Sequence, residues 1–153
     1  MNESAPRSTY SIPDGPLEGD AVHAAVTAAI KADTRLARLL LVYIAAGVRD
    51  ILTGGDPEAP FDASYVELRP ASDGSLILTG RYWTAAGDTR TFDSTEGVEK
   101  SPWGAAYEMN EWVPYLDNGN DRVWRPLVIT QELFGTVVGY RLDLVRAAAH
   151  PVD

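Results

Sequence analysis

Histidine is the usual acid or base near neutral pH, and the chain holds two, His23 and His150. His150 stands beside Pro151 in a terminal tail, where no fixed catalytic geometry is expected. His23 falls in the first turn of a helical segment and has no carboxylate at a motif spacing. Among the acids, Glu108 and Glu111 are three apart, which places them on one face of a helix but on opposite faces of a strand. Asp143 interrupts an apolar run between Leu142 and Leu144. On a cavity wall it would pair with Arg141 or Arg81 and its protonation would matter; on a solvated face it is an outward residue.

Other chemistries find less support. Asp117, Gly119 and Asp121 superficially resemble a calcium loop, but Arg122 stands where that loop needs glycine and no glutamate closes it. The same residues read more simply as a hairpin turn. Thr53-Gly54-Gly55 follows a helix and lacks the lysine of a phosphate-binding loop. No G-x-S-x-G elbow accompanies Ser64, Ser75, Ser94 or Ser101. With no cysteine, thiolate metal sites, disulfides and cysteine nucleophiles are excluded. Neither a catalytic residue, nor a metal, nor a cofactor is predicted. Arg35, Arg38 and Arg49 flank an apolar helix, with Arg38 and Arg49 about three turns apart on nearly one line. They mark its wet side, with an anion site as the sharper alternative.

Aromatic residues are the remaining candidates. All four tryptophans, Trp83, Trp103, Trp112 and Trp124, occur in one stretch with Tyr82, Phe92, Tyr107 and Tyr115. Rings bury large areas while indole N–H and phenol O–H still seek polar partners, so such a cluster can be core, cavity or binding face. Trp83 and Trp124 sit in alternating segments and read as core or sheet-face residues. Trp103 and Trp112 lie beside a charged loop and a proline-broken segment, where burial is less assured.

The elements that must hold these side chains read as follows. Residues 1–16, with Pro6, Pro13, Gly15 and Pro16, predict an extended or mobile arm. Asp20 can cap a first helix carrying Val22, Val26 and Ile30, and Thr34 a second one through about Leu52, stopped by Gly54 and Gly55. The second helix is apolar on most sides, as expected for one buried in a domain or covered by a partner. Alternation then predicts strands over Tyr65 to Arg69, Ser75 to Trp83 and Thr89 to Asp93, with Asp73-Gly74 as a hairpin turn. Ser94 to Pro102 is an expected exposed loop, and Tyr107 to Leu116 an expected edge strand broken by Pro114. Asn118-Gly119 is the strongest hairpin signal, followed by strands Arg122 to Thr130 and Thr136 to Arg146.

Helices first and strands afterwards predict an α+β fold: two N-terminal helices, then a five- to six-stranded mainly antiparallel sheet packed or curled over the second helix. The 153 residues suit a single domain over 17–147, with a tail at 148–153. Thirteen basic against twenty-two acidic residues give a charge of −9, which opposes nucleic acid and favours a basic protein partner. No segment reaches the roughly 18 apolar residues of a membrane span, and the first residues lack a secretory pattern, so a cytoplasmic protein is expected.

Two functional expectations follow. The first is a non-enzymatic protein-binding module, an immunity- or inhibitor-type protein engaging a basic partner through Trp103, Glu108, Glu111, Trp112 and Tyr115. The second is a cone-shaped pocket protein binding a small apolar or aromatic molecule, with Tyr82, Trp124, Tyr140 and Asp143 in its wall and acid–base chemistry inside. Architecture alone supports the latter, and architecture does not imply activity. The broadly apolar second helix also admits a homodimer.

Overall fold

The computed structural model describes residues 9–11, 19–92 and 102–152, the side chains of 102–105 excepted. Helix α1 runs without interruption from Gly19 to Thr53. The expected start of a second helix at Thr34, with a break at residues 32–34, does not occur, so the two predicted N-terminal helices are one. That stretch contains neither glycine nor proline, the residues costliest inside a helix. Thr34, the predicted cap, serves another contact, its Oγ1 accepting from Arg122 Nη2, and the neighbouring Asp33 Oδ1 accepts from Asn120 Nδ2 at 3.1 Å. The helix stops where expected, because Gly54 and Gly55 take φ of 64° and 83° and Gly55 N donates to Asp50 O at 3.0 Å.

The chain divides into two compact units, Met1–Ala32 and Asp33–Asp153. In the first, the side chains from Gly19 to Ala32 are exposed. In the second, β1 (Ala63–Pro70), β2 (Leu76–Thr84), β3 (Thr89–Thr91), β4 (Val128–Leu133) and β5 (Thr136–Asp143) form a sheet of order β3-β2-β1-β5-β4 with every pairing antiparallel. Ala37, Leu40, Leu41, Ile44, Val48 and Leu52 of α1 join Val66, Leu68, Leu78, Tyr82, Tyr140 and Leu142 of the sheet in one core. The fold is therefore α+β, a long N-terminal helix with a five-stranded antiparallel sheet. Burial follows one stripe of α1 rather than most of its circumference; Leu39 and Tyr43 stay exposed. Among the described residues, no helix is long and apolar enough to cross a membrane.

Three predicted strand segments are corrected. Pro102–Met109 forms helix α2, and Val113–Tyr115 follows as a single 3₁₀ turn, so Tyr107 to Leu116 is not an edge strand. Pro114 occupies the first turn, where its missing N–H has no intrahelical acceptor to lose. Asp121–Trp124 forms helix α3 and Arg125–Leu127 a further 3₁₀ turn, leaving only residues 128–130 of the predicted Arg122 to Thr130 segment in a strand, β4, which runs on to Leu133. Strand β5 ends at Asp143 because that carboxylate accepts from Arg146 N at 3.0 Å and caps helix α4, Leu144–Ala148. Trp103 falls within α2 with its side chain outside the described residues, as does most of the predicted Ser94 to Pro102 loop.

Asn118-Gly119 does not join two strands; Asn120 organises the segment instead. Its fully buried amide accepts from Asp117 N at 3.0 Å and Trp124 Nε1 at 3.2 Å. It also donates to Asp33 at 3.1 Å and Tyr115 O at 2.8 Å. A side chain with every hydrogen-bonding position filled inside a core cannot be replaced by one that fills none. Asn120→Ala is expected to destabilise the fold by roughly 2–4 kcal/mol, measured by chemical denaturation, since each orphaned buried group costs ~1–3 kcal/mol.

The β4–β5 hairpin turns on two residues, Phe134 and Gly135, with φ of 51° and 79°. Positive φ at both is the geometry of a type I′ turn, for which Asn-Gly is the favoured pair. Phe134 is 98% exposed, so its ring gains no burial to offset the left-handed backbone. Phe134→Asn is expected to raise stability by roughly 0.5–1 kcal/mol, read as a higher melting temperature.

Candidate functional site

The segment from α2 to the 3₁₀ turn sorts its side chains by direction. Met109, Val113 and Leu116 point into the core at intervals of four and three, while Tyr107, Glu108, Glu111, Trp112 and Tyr115 face solvent. Bonds from Glu111 N to Glu108 O (3.3 Å), Trp112 N to Met109 O (3.0 Å) and Tyr115 N to Trp112 O (3.0 Å) keep the chain coiled beyond α2. Asn110 fixes this segment to the sheet: its amide accepts from Leu78 N and donates to Leu78 O, both at 2.8 Å. A side chain thus satisfies both backbone groups of one β2 residue, as a neighbouring strand would.

Trp112 and Tyr115 stack on one another, with ring centroids 6.3 Å apart and planes at 27°. They are 47% and 53% exposed, large areas for rings held against a folded surface. Glu108 and Glu111 lie near enough to Tyr43 of α1 to act on its phenol, whose pKa is raised, first by burial and then by the two carboxylates. The coil therefore brings together four of the five predicted partner-binding residues, Glu108, Glu111, Trp112 and Tyr115, beside Tyr43. Together they form an acidic, aromatic patch.

Of the residues predicted as an alternative pocket wall, Trp124 and Tyr140 pack on each other, Asp143 caps α4, and Tyr82 lines a concavity of about 360 Å³ with Leu52, Phe61 and Arg90. Trp124 is fully buried, its indole donating to Asp117 O at 3.0 Å and its ring meeting Tyr140 edge-on at 5.3 Å. Tyr82 stacks on Phe92 at 5.9 Å. Asp143 caps α4, and the arginines expected to answer it have other roles.

Those arginines surround Glu67, which the sequence reading did not single out. Glu67 lies on the sheet face opposite Val66 and Leu68 and is only 3% exposed. Thr79 Oγ1 donates to its Oε1 at 2.9 Å, Arg69 Nη2 approaches the same oxygen at 3.3 Å, and Arg81 Nη1 lies 3.7 Å from Oε2. Arg141 pairs in register with Glu67 and lays its guanidinium 4.1 Å from the Trp83 ring, with Arg81 5.4 Å from the same ring. Gln131, its amide oxygen turned toward Arg141, accepts from Nε at 2.8 Å and Nη2 at 3.1 Å. Cation–π and charge-assisted bonds knit this face into a satisfied cluster, with Glu67 engaged by its neighbours. The only legible signal was an acid in mid-strand between Val66 and Leu68.

A concavity of about 610 Å³ is lined by Thr34 and Arg38 of α1, Arg122 and Val123 of α3, Pro126, Leu127, Arg146, and Ala149, His150 and Pro151. His150, set aside from catalysis in sequence, lines the same concavity as three arginines. Of the three arginines flanking α1, Arg38 lines this concavity and Arg49 lines a separate apolar one with Val42, Ala46 and Phe61. Among the described residues, no three His, Asp or Glu side chains are grouped to hold a metal ion.

No known family, curated protein or solved structure matches the chain.

If Glu108 and Glu111 face Tyr43, replacing both with glutamine lowers the Tyr43 pKa toward its ordinary value without reaching it, because burial remains. Tyrosinate absorbance against pH, corrected with Tyr43→Phe, measures this. An unmoved titration would separate the two acids from Tyr43.

Proposed function

We propose that the chain is a non-enzymatic protein-binding module that engages a basic partner through the patch of Glu108, Glu111, Trp112 and Tyr115, in the manner of a small acidic immunity or inhibitor protein. The observation that carries this reading is the stacked, half-exposed Trp112–Tyr115 pair flanked by two carboxylates. Aromatic residues in a fixed orientation supply contact area at little entropic cost, and they are enriched among the few residues that dominate binding energy. Glu108 and Glu111 add a charge that steers a cationic surface toward the rings. The net charge of −9 acts in the same direction at long range. Asn110 and the buried Met109 and Val113 hold the segment on the core, so little ordering remains to be paid for on association.

The reading is tested by titrating the isotope-labelled chain with a panel of lysine- and arginine-rich peptides, some bearing apolar side chains. Saturable shifts confined to the Trp112 indole and the Glu108 to Tyr115 amides are expected. Trp112→Ala is expected to weaken binding about ten-fold or more without changing the melting temperature. Glu108→Gln with Glu111→Gln is expected to reduce both affinity and its salt dependence. Binding that survives Trp112→Ala, or shifts spread over the acidic surface, would overturn the proposal.

A further inference from the structure

Strand β4 forms one edge of the sheet, and β3, only three residues long, forms the other. A short edge offers little backbone to another strand. The six residues of Val128–Leu133, by contrast, present a row of outward N–H and C=O groups that no other described segment meets. Long edges are commonly blunted by lysine, proline or a bulge in the edge strand itself. β4 has no lysine, arginine or proline, and its one register shift places the extra residue, Val138, on β5. The free edge is therefore regular. Its surroundings are apolar: Ile129 and Leu133, on the face away from the core, are more than half exposed, and Phe134 and Val138 are exposed near them. Phe134 also holds a left-handed backbone without burying its ring, a cost that no contact within the described chain offsets.

We infer that β4 pairs antiparallel with β4 of a second copy of this chain, about a two-fold axis at Gln131, so that the two sheets become continuous. In an antiparallel pair related by such an axis, one residue faces its own copy and its neighbours pair symmetrically on shared faces. With the axis at Gln131, Ile129 lies opposite the second copy's Leu133, and Thr130 lies opposite its Glu132. Exposed apolar side chains then cover one another, and no carboxylate of the strand faces another although each chain carries −9. Phe134 arrives next to the second copy's half-buried Val128. An axis at Thr130 would instead set Ile129 against Gln131 and Val128 against Glu132, apolar against polar. This self-complementary pattern selects a second copy over an unrelated peptide. A single strand pair is a small interface, so the association is weak and reversible. The strand shares no residue with the acidic, aromatic patch, and the inference does not rest on it.

Sedimentation velocity of the full chain, loaded from about 10 μM to about 1 mM, tests it. A reversible equilibrium between monomer and dimer is expected, and added salt is expected to strengthen it by screening the like charges of the two copies. Leu133→Lys is expected to weaken the dimer about ten-fold or more, because it sets a charge against Ile129 at the edge. Its circular dichroism should match the parent's, since Leu133 is exposed. Adding Ile129→Glu to Leu133→Lys is expected to recover association, because each new carboxylate then lies opposite a new ammonium of the other copy. The stability that Phe134→Asn is expected to add belongs to the single chain, and the same change is expected to weaken the pair. A parent chain that stays monomeric at about 1 mM would overturn the inference and leave the edge to a strand of another protein. A dimer indifferent to Leu133→Lys, or a double variant that associates no better than the single one, would overturn it equally.

Discussion

The buried amide of Asn120 is the constraint on which the surrounding structure depends. One side chain joins Asp33 on α1, the carbonyl of Tyr115, the amide of Asp117 and the indole of Trp124. Inside a core, where an unmet polar group is costly and a met one is strong, such a junction admits one arrangement of the four segments. It places Tyr115 beside Trp112 on the outer surface and starts α3 so that Arg122 reaches Thr34. The patch and the cationic concavity are thus both positioned from a residue that belongs to neither.

Local patterning reveals the parts of this fold that local patterning determines. The paired glycines end α1, Asp73-Gly74 turns β1 into β2, and alternation marks β1, β2 and most of β5. Between Pro102 and Leu127 the chain uses short helical pieces whose apolar residues number too few to display a period. Val123, Trp124 and Leu127 are buried from a helix and a 3₁₀ turn, yet in sequence they pass for the start of a strand. Thr34 resembles a cap because its type suits that task, and only the tertiary structure reveals that Arg122 claims it instead. Glu67 is hidden for a related reason: its partners Thr79, Arg81 and Arg69 are gathered by strand register, which includes a shift between β1 and β2. At the patch, the expected grouping of Glu108 with Glu111 depended on a helical reading, and the coil supplies it although the segment was expected to be extended.

Net charge describes this surface poorly. Carboxylates accompany exposed rings at one place, while guanidinium groups line a recess at another and cover the ring of Trp83 at a third. Because screening shortens electrostatic reach to about 8–10 Å at ordinary salt, a ligand close to the surface responds to its nearest charges rather than to the chain's total. A sequence-wide count therefore bears on solubility and long-range encounter, and the local arrangement decides what stays bound.

The exposed beginning of α1 has a consequence of its own. Between Gly19 and Ala32 the helix carries Ala21, Ala24, Ala25, Ala28, Ala29 and Ala32, with every side chain exposed. Helical structure there rests on intrinsic propensity, for alanine is the best helix former and burial contributes little. Among the described residues, α1 enters the core at Ala37, while Asp33 and Thr34 bond to Asn120 and Arg122. Changing one of these exposed alanines therefore acts on local helix stability rather than on side-chain packing.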